Sequence, residues 1–196
     1  SGTFGFGQEY LDLYPLSELG GIALKGITLE KRIGNPPPRI AETYSGVLNS
    51  VGLQNPGVDS FLENDLPKIA NQGTVLIANI AGKTVEEYAL MARKLENSAI
   101  DMLEVNVSCP NVKEGGISFG TVPLPVQRVT ELIKSETNKP VIVKLSPNVT
   151  DITEIARAAE QGGADAVSLI NTVLSMRIDV KTRRPIIKQN YAGLSG

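Results

Sequence analysis

Val141-Ile142-Val143-Lys144-Leu145-Ser146-Pro147-Asn148 begins the passage on which the fold assignment turns. An apolar run ends here in groups able to bind or react: Lys144, Ser146 and Asn148. A helical rhythm follows at Ile152, Ile155, Ala156 and Ala159, with Thr150 or Asp151 as its cap and Gly162-Gly163 as its stop. A second apolar run over residues 166–170 then ends in Asn171 and Thr172. Strand, helix and strand in this order predict a βαβ unit, in which the crossover helix lets the two strands lie parallel.

The pattern extends toward the N-terminus. Apolar runs rich in Val, Ile and Leu also occupy residues 21–27, 75–80 and 102–107, making five in all. None alternates cleanly, which predicts a parallel sheet covered on both faces. Thr84 and Glu87 form a capping box ahead of an apolar stripe at Val85, Tyr88, Ala89, Ala92 and Leu95. Val126, Val129 and Ile133, widened by Leu132, form the next stripe. Each run also ends polar: Lys25 after the first, Asn79 after the second, Asn106, Ser108 and Cys109 after the third. A doubly wound open sheet gathers its ligand site at one switch point. A (β/α)₈ barrel instead turns every strand C-terminus toward one site. Five separate polar ends favour the barrel.

The expected fold is therefore α/β, a TIM barrel incomplete in this chain, with residues 1–196 forming a single partial domain. A full barrel has eight strands in roughly 250 residues. The chain opens without Met in Ser1-Gly2-Thr3-Phe4-Gly5-Phe6-Gly7 and stops at Gly193-Leu194-Ser195-Gly196, which reads as a loop. We expect a fragment lacking the start of the first strand and the last strands. Two connections are long. Residues 28–74 hold Asn35-Pro36-Pro37-Pro38, the segment 49–57 and a helix near 58–66; residues 108–123 hold Gly115-Gly116 as a hinge. Such loops on a barrel's C-terminal face carry lids and specificity.

Composition removes several function classes. The 196 residues carry 19 Lys and Arg against 21 Asp and Glu, a formal charge of −2, which gives no footprint for nucleic acid or an anionic membrane. With no His, the commonest acid/base residue, the Ser-His-Asp triad and His-ligated metals are excluded. The single Cys, Cys109, excludes an internal disulfide and a Cys-ligated metal or cluster within the chain. No apolar run reaches the roughly 18 residues of a membrane span and no signal peptide opens the sequence, so a cytoplasmic protein is expected. Gly82-Lys83-Thr84 is no P-loop, because Ile77 stands where that motif needs Gly. The sequons at Asn106 and Asn148 carry no weight without secretory features.

Two residues stand out chemically. Lys144, flanked by apolar strand residues, is an edge lysine reaching water, a Schiff-base nucleophile or a fixed positive charge beside an electron-rich cofactor. Cys109 is either an inert buried thiol or a shielded proton acceptor or nucleophile. Its place after a strand, between Asn106 and Asn111 with Pro110 fixing the turn, favours chemistry.

Taken together, these segments resemble one family. The segment Asn49-Ser50-Val51-Gly52-Leu53-Gln54-Asn55-Pro56-Gly57 comes first, then Asn106-Val107-Ser108-Cys109-Pro110-Asn111. Val143-Lys144-Leu145-Ser146-Pro147-Asn148 and Ile170-Asn171-Thr172 follow, and Ser1-Gly2-Thr3 and Lys25-Gly26 add to the match. The chain is identified on them as similar to class 1 dihydroorotate dehydrogenase, and Gln54-Asn55-Pro56-Gly57 resembles its NAD-dependent subclass, 1B. The resemblance implies an FMN-binding barrel that oxidises dihydroorotate to orotate in pyrimidine biosynthesis. A base removes the C5 proton while a hydride passes from C6 to flavin N5.

The same resemblance assigns roles. Cys109 is the base, and its thiol is mostly protonated at neutral pH unless the site favours thiolate. Lys25 meets the substrate carboxylate and also the flavin. Asn49, Ser50, Asn106, Asn171 and Thr172 serve the polar edges of the pyrimidine, Val51, Gly52 and Leu53 present backbone groups to it, and Asn111 adds an amide. Lys144 lies at the flavin N1/O2 edge. Ser1, Gly26, Asn79, Asn106 and Ile170 complete the cofactor contacts, with Gly196 the first residue of a phosphate-binding series that continues past it. The loop 110–123 closes over the substrate. A chain ending at Gly196 is thus expected to bind FMN poorly and to be inactive alone. A homodimer is implied, as is a partner subunit whose FAD and iron–sulfur cluster pass electrons to NAD. The alternatives are another FMN barrel acting on a dihydropyrimidine or dihydrouridine ring, a Schiff-base aldolase on Lys144, and a non-catalytic scaffold.

Overall fold

In the computed structural model, which describes residues 2–108 and 119–196, the apolar runs become strands with two unlike faces. A strand turns alternate side chains to opposite sides. Leu76, Ala78, Ile80, Leu103, Val105, Val107, Val141, Val143 and Leu145 are buried on one side, while Ile77, Met102, Asn106, Ile142 and Lys144 on the other are only half-buried. Helices close the outer face, and on the inner face Asn79 and Glu104 are buried as well.

In chain order, β1 (Gly21–Ala23) precedes a hairpin of β2 (Ile40–Thr43) and β3 (Gly46–Asn49). Next come α1 (Val58–Ser60), a π-helical turn Phe61–Asp65 and α2 (Leu66–Ile69), where the sequence predicts a helix. Strand and helix then alternate: β4 (Val75–Ile80), α3 (Val85–Glu96), β5 (Met102–Asn106), α4 (Pro123–Glu136), β6 (Val141–Lys144), α5 (Ile152–Gln161) and β7 (Ala166–Ser168). The C-terminal part holds β8 (Val173–Ser175), β9 (Ile178–Asp179), β10 (Arg184–Pro185) and β11 (Ala192–Ser195).

Strands β1, β4, β5, β6 and β7 lie side by side, all parallel and in chain order. A barrel is wound this way, whereas a doubly wound sheet reverses its order at a switch point. The fold is that of an incomplete (β/α)₈ barrel, with five of its parallel strands among the described residues. Behind the sheet, Tyr88, Met91, Ala92 and Leu95 of α3, Val126, Val129 and Ile133 of α4, and Ile155 and Ala159 of α5 share one core with the outer strand faces. Each fully buried Leu, Ile, Val or Met there contributes about 1.5–3 kcal/mol.

Local chemistry sets the helix ends. Thr84 Oγ1 accepts from the Glu87 N–H at 3.3 Å, and the Glu87 carboxylate accepts from the Lys83 N–H at 2.6 Å, one residue outside the cap. Asp151, not Thr150, caps α5 by accepting from the Thr153 N–H at 2.8 Å. Gly163, at φ +88°, turns the chain out of α5 while the Ala164 N–H closes on the Ala159 carbonyl at 3.0 Å. Among the described residues, no helix is long and apolar enough to cross a membrane.

Three expectations change. The run 21–27 is a strand only over Gly21–Ala23, with Ile27 returning to the sheet through a bridge to Ile80. The run 166–170 is a strand only over Ala166–Ser168. Gly193, Leu194 and Ser195, read as loop, belong to β11, which pairs antiparallel with β3 and β8 in a second sheet of order β2-β3-β11-β8. That sheet is entered directly from the end of β7 and holds Asn49 at its β3 terminus, so it borders the C-terminal ends of the parallel strands. The Gly115-Gly116 hinge lies outside the described residues.

Candidate active site

A cavity of about 440 Å³ opens between the parallel strand ends and the second sheet, within the usual range for a small-molecule site. Asn106 and Ser108 reach it from the end of β5, Asn148 from the loop after β6, and Asn171 and Thr172 from the loop after β7. Asn49, Ser50, Val51, Gly52 and Leu53 line the opposite wall. Of the expected substrate contacts, Asn49, Ser50, Val51, Gly52, Leu53, Asn106, Asn171 and Thr172 are brought together. Lys25 is not among the lining residues.

The amides of the site are oriented by one another. Asn171 Nδ2 donates to Asn106 Oδ1 at 3.0 Å, and Asn171 Oδ1 accepts from the Thr172 N–H at 2.8 Å. Asn148 donates to the Thr172 carbonyl at 3.1 Å and accepts from the Leu174 N–H at 2.9 Å. The opposite wall is held just as firmly. Asn35 Nδ2 donates to the Ser50 carbonyl at 2.8 Å, its N–H to the Val51 carbonyl at 3.0 Å, and Arg39 donates to the Asn35 carbonyl at 3.1 Å and to Gln54 Oε1 at 2.5 Å. Gly52 has φ +77°, and a Cβ there would sit 2.8 Å from the Asn35 amide carbon, so the close approach requires glycine. Below, Asn55 is buried and bonds to Thr28, Leu53 and Gly57, fixing the turn that follows.

Two hydroxyls in the cavity wall, Ser50 Oγ and Ser108 Oγ, are buried without a hydrogen-bond partner among the described residues. Buried hydroxyls in native proteins are nearly always bonded, so these two fit contact with a polar ligand. Such a wall of amides and hydroxyls matches a planar ring with N–H and C=O edges.

The remaining cofactor candidates lie on the inner strand face beside this cavity. Asn79 is buried and donates from Nδ2 to Glu104 at 2.5 Å. A Cβ on Gly26 would sit 2.9 Å from Asn79 Oδ1 and 3.2 Å from Leu53, so only glycine lets the Asn79 amide pack this close. Lys144 pairs in register with Asn106 on one side and Ser168 on the other, and Ile170 follows β7 at 47% exposure. Lys25 is half-buried, its N–H donating to the Gly5 carbonyl at 2.8 Å. Burial, and next the like charge of Arg39, lower its ammonium pKa, with Glu9 opposing them. Gly196 is not brought to the cavity. It sits at the far end of β11, where a Cβ would collide with the Ser45 carbonyl. Ser1, Cys109 and Asn111 lie outside the described residues.

Sequence reasoning passed over several residues of the site. Asn35, Leu174, Gln189, Tyr191, Ala192 and Gly193 line the cavity but come from segments with no local motif. Glu104 was hidden inside an apolar run, although a carboxylate in a strand interior is itself a signal. Among the described residues no group of His, Cys, Asp and Glu could hold a metal ion.

A family model described as dihydroorotate dehydrogenase matches residues 1–196. Three curated relatives carry the name dihydroorotate dehydrogenase B (NAD(+)), catalytic subunit. That of Caldicellulosiruptor bescii is 56% identical over 196 residues, that of Thermoanaerobacter pseudethanolicus 55% and that of Alkaliphilus metalliredigens 54%. Each match covers 100% of this chain and 65% of the relative, so the chain spans somewhat under two thirds of their length.

Proposed function

The chain belongs to the dihydroorotate dehydrogenase family, and from that premise we propose that the whole protein oxidises dihydroorotate to orotate with FMN, in pyrimidine biosynthesis in the cytoplasm. The observation that carries this reading is the amide-lined cavity at the strand ends, where residues from three strand-end loops and the 49–53 wall meet. Asn49, Asn106, Asn171 and Thr172 hold the ring edges, and the Ser50 hydroxyl and the backbone of Val51, Gly52 and Leu53 complete the fit. Lys25 supplies the cation for the carboxylate. Cys109 takes the proton from C5, and Asn111 braces the same ring. FMN, when bound, supplies the two-electron acceptor for the hydride leaving C6. Gly26, Asn79, Asn106, Ile170 and Ser1 hold that cofactor, Lys144 holds a positive charge beside its ring, and Gly196 leads into its phosphate site. The half-buried Lys144, in register with the cavity-lining Asn106, supports a ring bound there.

The names of the relatives specify NAD(+) and a catalytic subunit, which supports a partner that passes electrons to NAD. We assign FAD and an iron–sulfur cluster to that partner, since the single Cys of these 196 residues does not suffice to ligate a cluster. Two catalytic subunits form a homodimer at its centre.

The test is anaerobic titration of the purified full-length protein with dihydroorotate, followed by visible absorption. Bleaching of the flavin bands by dihydroorotate, and not by dihydrouracil, which lacks the carboxylate, is the expected result. Bleaching by dihydrouracil alone, or no flavin in the full-length protein, would refute the assignment.

A further inference from the structure

Glu104 is buried at 6% exposure on the inner face of β5, and it bonds to two strands that do not adjoin each other. From β4, Asn79 Nδ2 donates to Glu104 Oε2 at 2.5 Å; from β7, Ser168 Oγ donates to Glu104 Oε1 at 2.8 Å. A carboxylate is costly to bury unless its oxygens are bonded. It also dictates the side chain it meets. The Asn79 amide must turn its NH₂ toward Glu104, since its carbonyl oxygen would be repelled there, and this leaves Oδ1 on the side of Gly26.

We propose that Glu104 is the positioning residue that fixes the Asn79 amide, with Oδ1 turned toward Gly26, for contact with the cofactor ring. The inference rests on the FMN reading above. Glu104 touches neither substrate nor cofactor and acts through Asn79, as outer residues orient direct ligands elsewhere. With Gln at 104, either end of the new amide can face Asn79, so the Asn79 amide is no longer held in one orientation.

The experiment is a fluorescence titration of FMN into the apo form of the full-length protein, comparing wild type, Glu104→Gln, Asn79→Ala and the double variant. Each single change is expected to weaken FMN binding about tenfold, the effect of one lost hydrogen bond. The double variant is expected to bind no worse than Asn79→Ala alone, because Glu104 reaches the cofactor through that amide. Wild-type affinity in Glu104→Gln would overturn the inference, as would a double variant weakened about a hundredfold, the product of two independent losses. Glu104→Asp, one methylene shorter, carries the same expectation if Glu104→Gln does not fold. Failure of both to fold while Asn79→Ala folds would also overturn it, since the carboxylate would then serve the fold alone. A wild-type protein that binds no FMN would contradict the proposed function itself.

Discussion

The Asn171 amide donates to the Asn106 side-chain oxygen at 3.0 Å, across a sequence separation of 65 residues, and so ties the loop after β7 to the end of β5. The bond passes over the end of β6 and fixes both amides at once. Neither residue can be altered without releasing the other. In the full-length protein Asn106→Ala and Asn171→Ala should each lower kcat/KM for dihydroorotate by about 10–100-fold, as expected for loss of a buried polar contact to substrate. The double variant should lose clearly less than the product of the two. Steady-state kinetics on the four proteins measures the coupling.

Gly193 packs its Cα against Thr172, and a methyl group there would overlap Thr172 Oγ1. Gly193→Ala should therefore push Thr172 into the cavity and cost about 1–3 kcal/mol, the usual range for overpacking. Urea denaturation reads the stability, and a raised KM reads the displaced hydroxyl.

Lys25 is held below the usual lysine range, first by burial and then by the Arg39 charge. A lowered pKa means that the ammonium loses its proton earlier as pH rises. Carboxylate recognition should then fade on the alkaline side at a lower pH than an ordinary lysine would allow. The KM for dihydroorotate should rise through that pH range while FMN stays bound. Arg39→Gln removes the like charge and should move the rise to higher pH, visible in paired KM-against-pH profiles.

Thr84 supplies a control remote from the chemistry. Its hydroxyl accepts from the Glu87 N–H at the start of α3. Thr84→Ala should cost about 1 kcal/mol of stability, as for other lost caps, with kcat and KM unchanged. Denaturation and steady-state assays on one preparation check both halves.

The parallel strands were legible because each is a compact apolar run, and α3, α4 and α5 because their stripes and caps are local. Of the polar strand ends read in the sequence, Asn106, Ser108, Asn148, Asn171 and Thr172 line one cavity, and Lys25, Asn79, Lys144 and Ser146 are not among its lining residues. The second sheet was hidden for a physical reason. Its β2–β3 turn at Tyr44-Ser45 lacks the Asn-Gly signature of tight hairpins. Its β3–β11 pairing sets Asn49 opposite Gly193, a contact no local pattern can announce. Glu104 was invisible for the opposite reason: apolar neighbours on both sides made its strand look uniform.

In the function proposed above, Cys109 removes the C5 proton of bound dihydroorotate. Stopped-flow mixing of dihydroorotate with the anaerobic full-length protein, wild type against Cys109→Ala, tests it most directly. Both proteins should bind FMN and orotate comparably, and flavin reduction in Cys109→Ala should slow by about 10²–10⁴-fold, the contribution of a general base. Reduction at the wild-type rate in Cys109→Ala would contradict it.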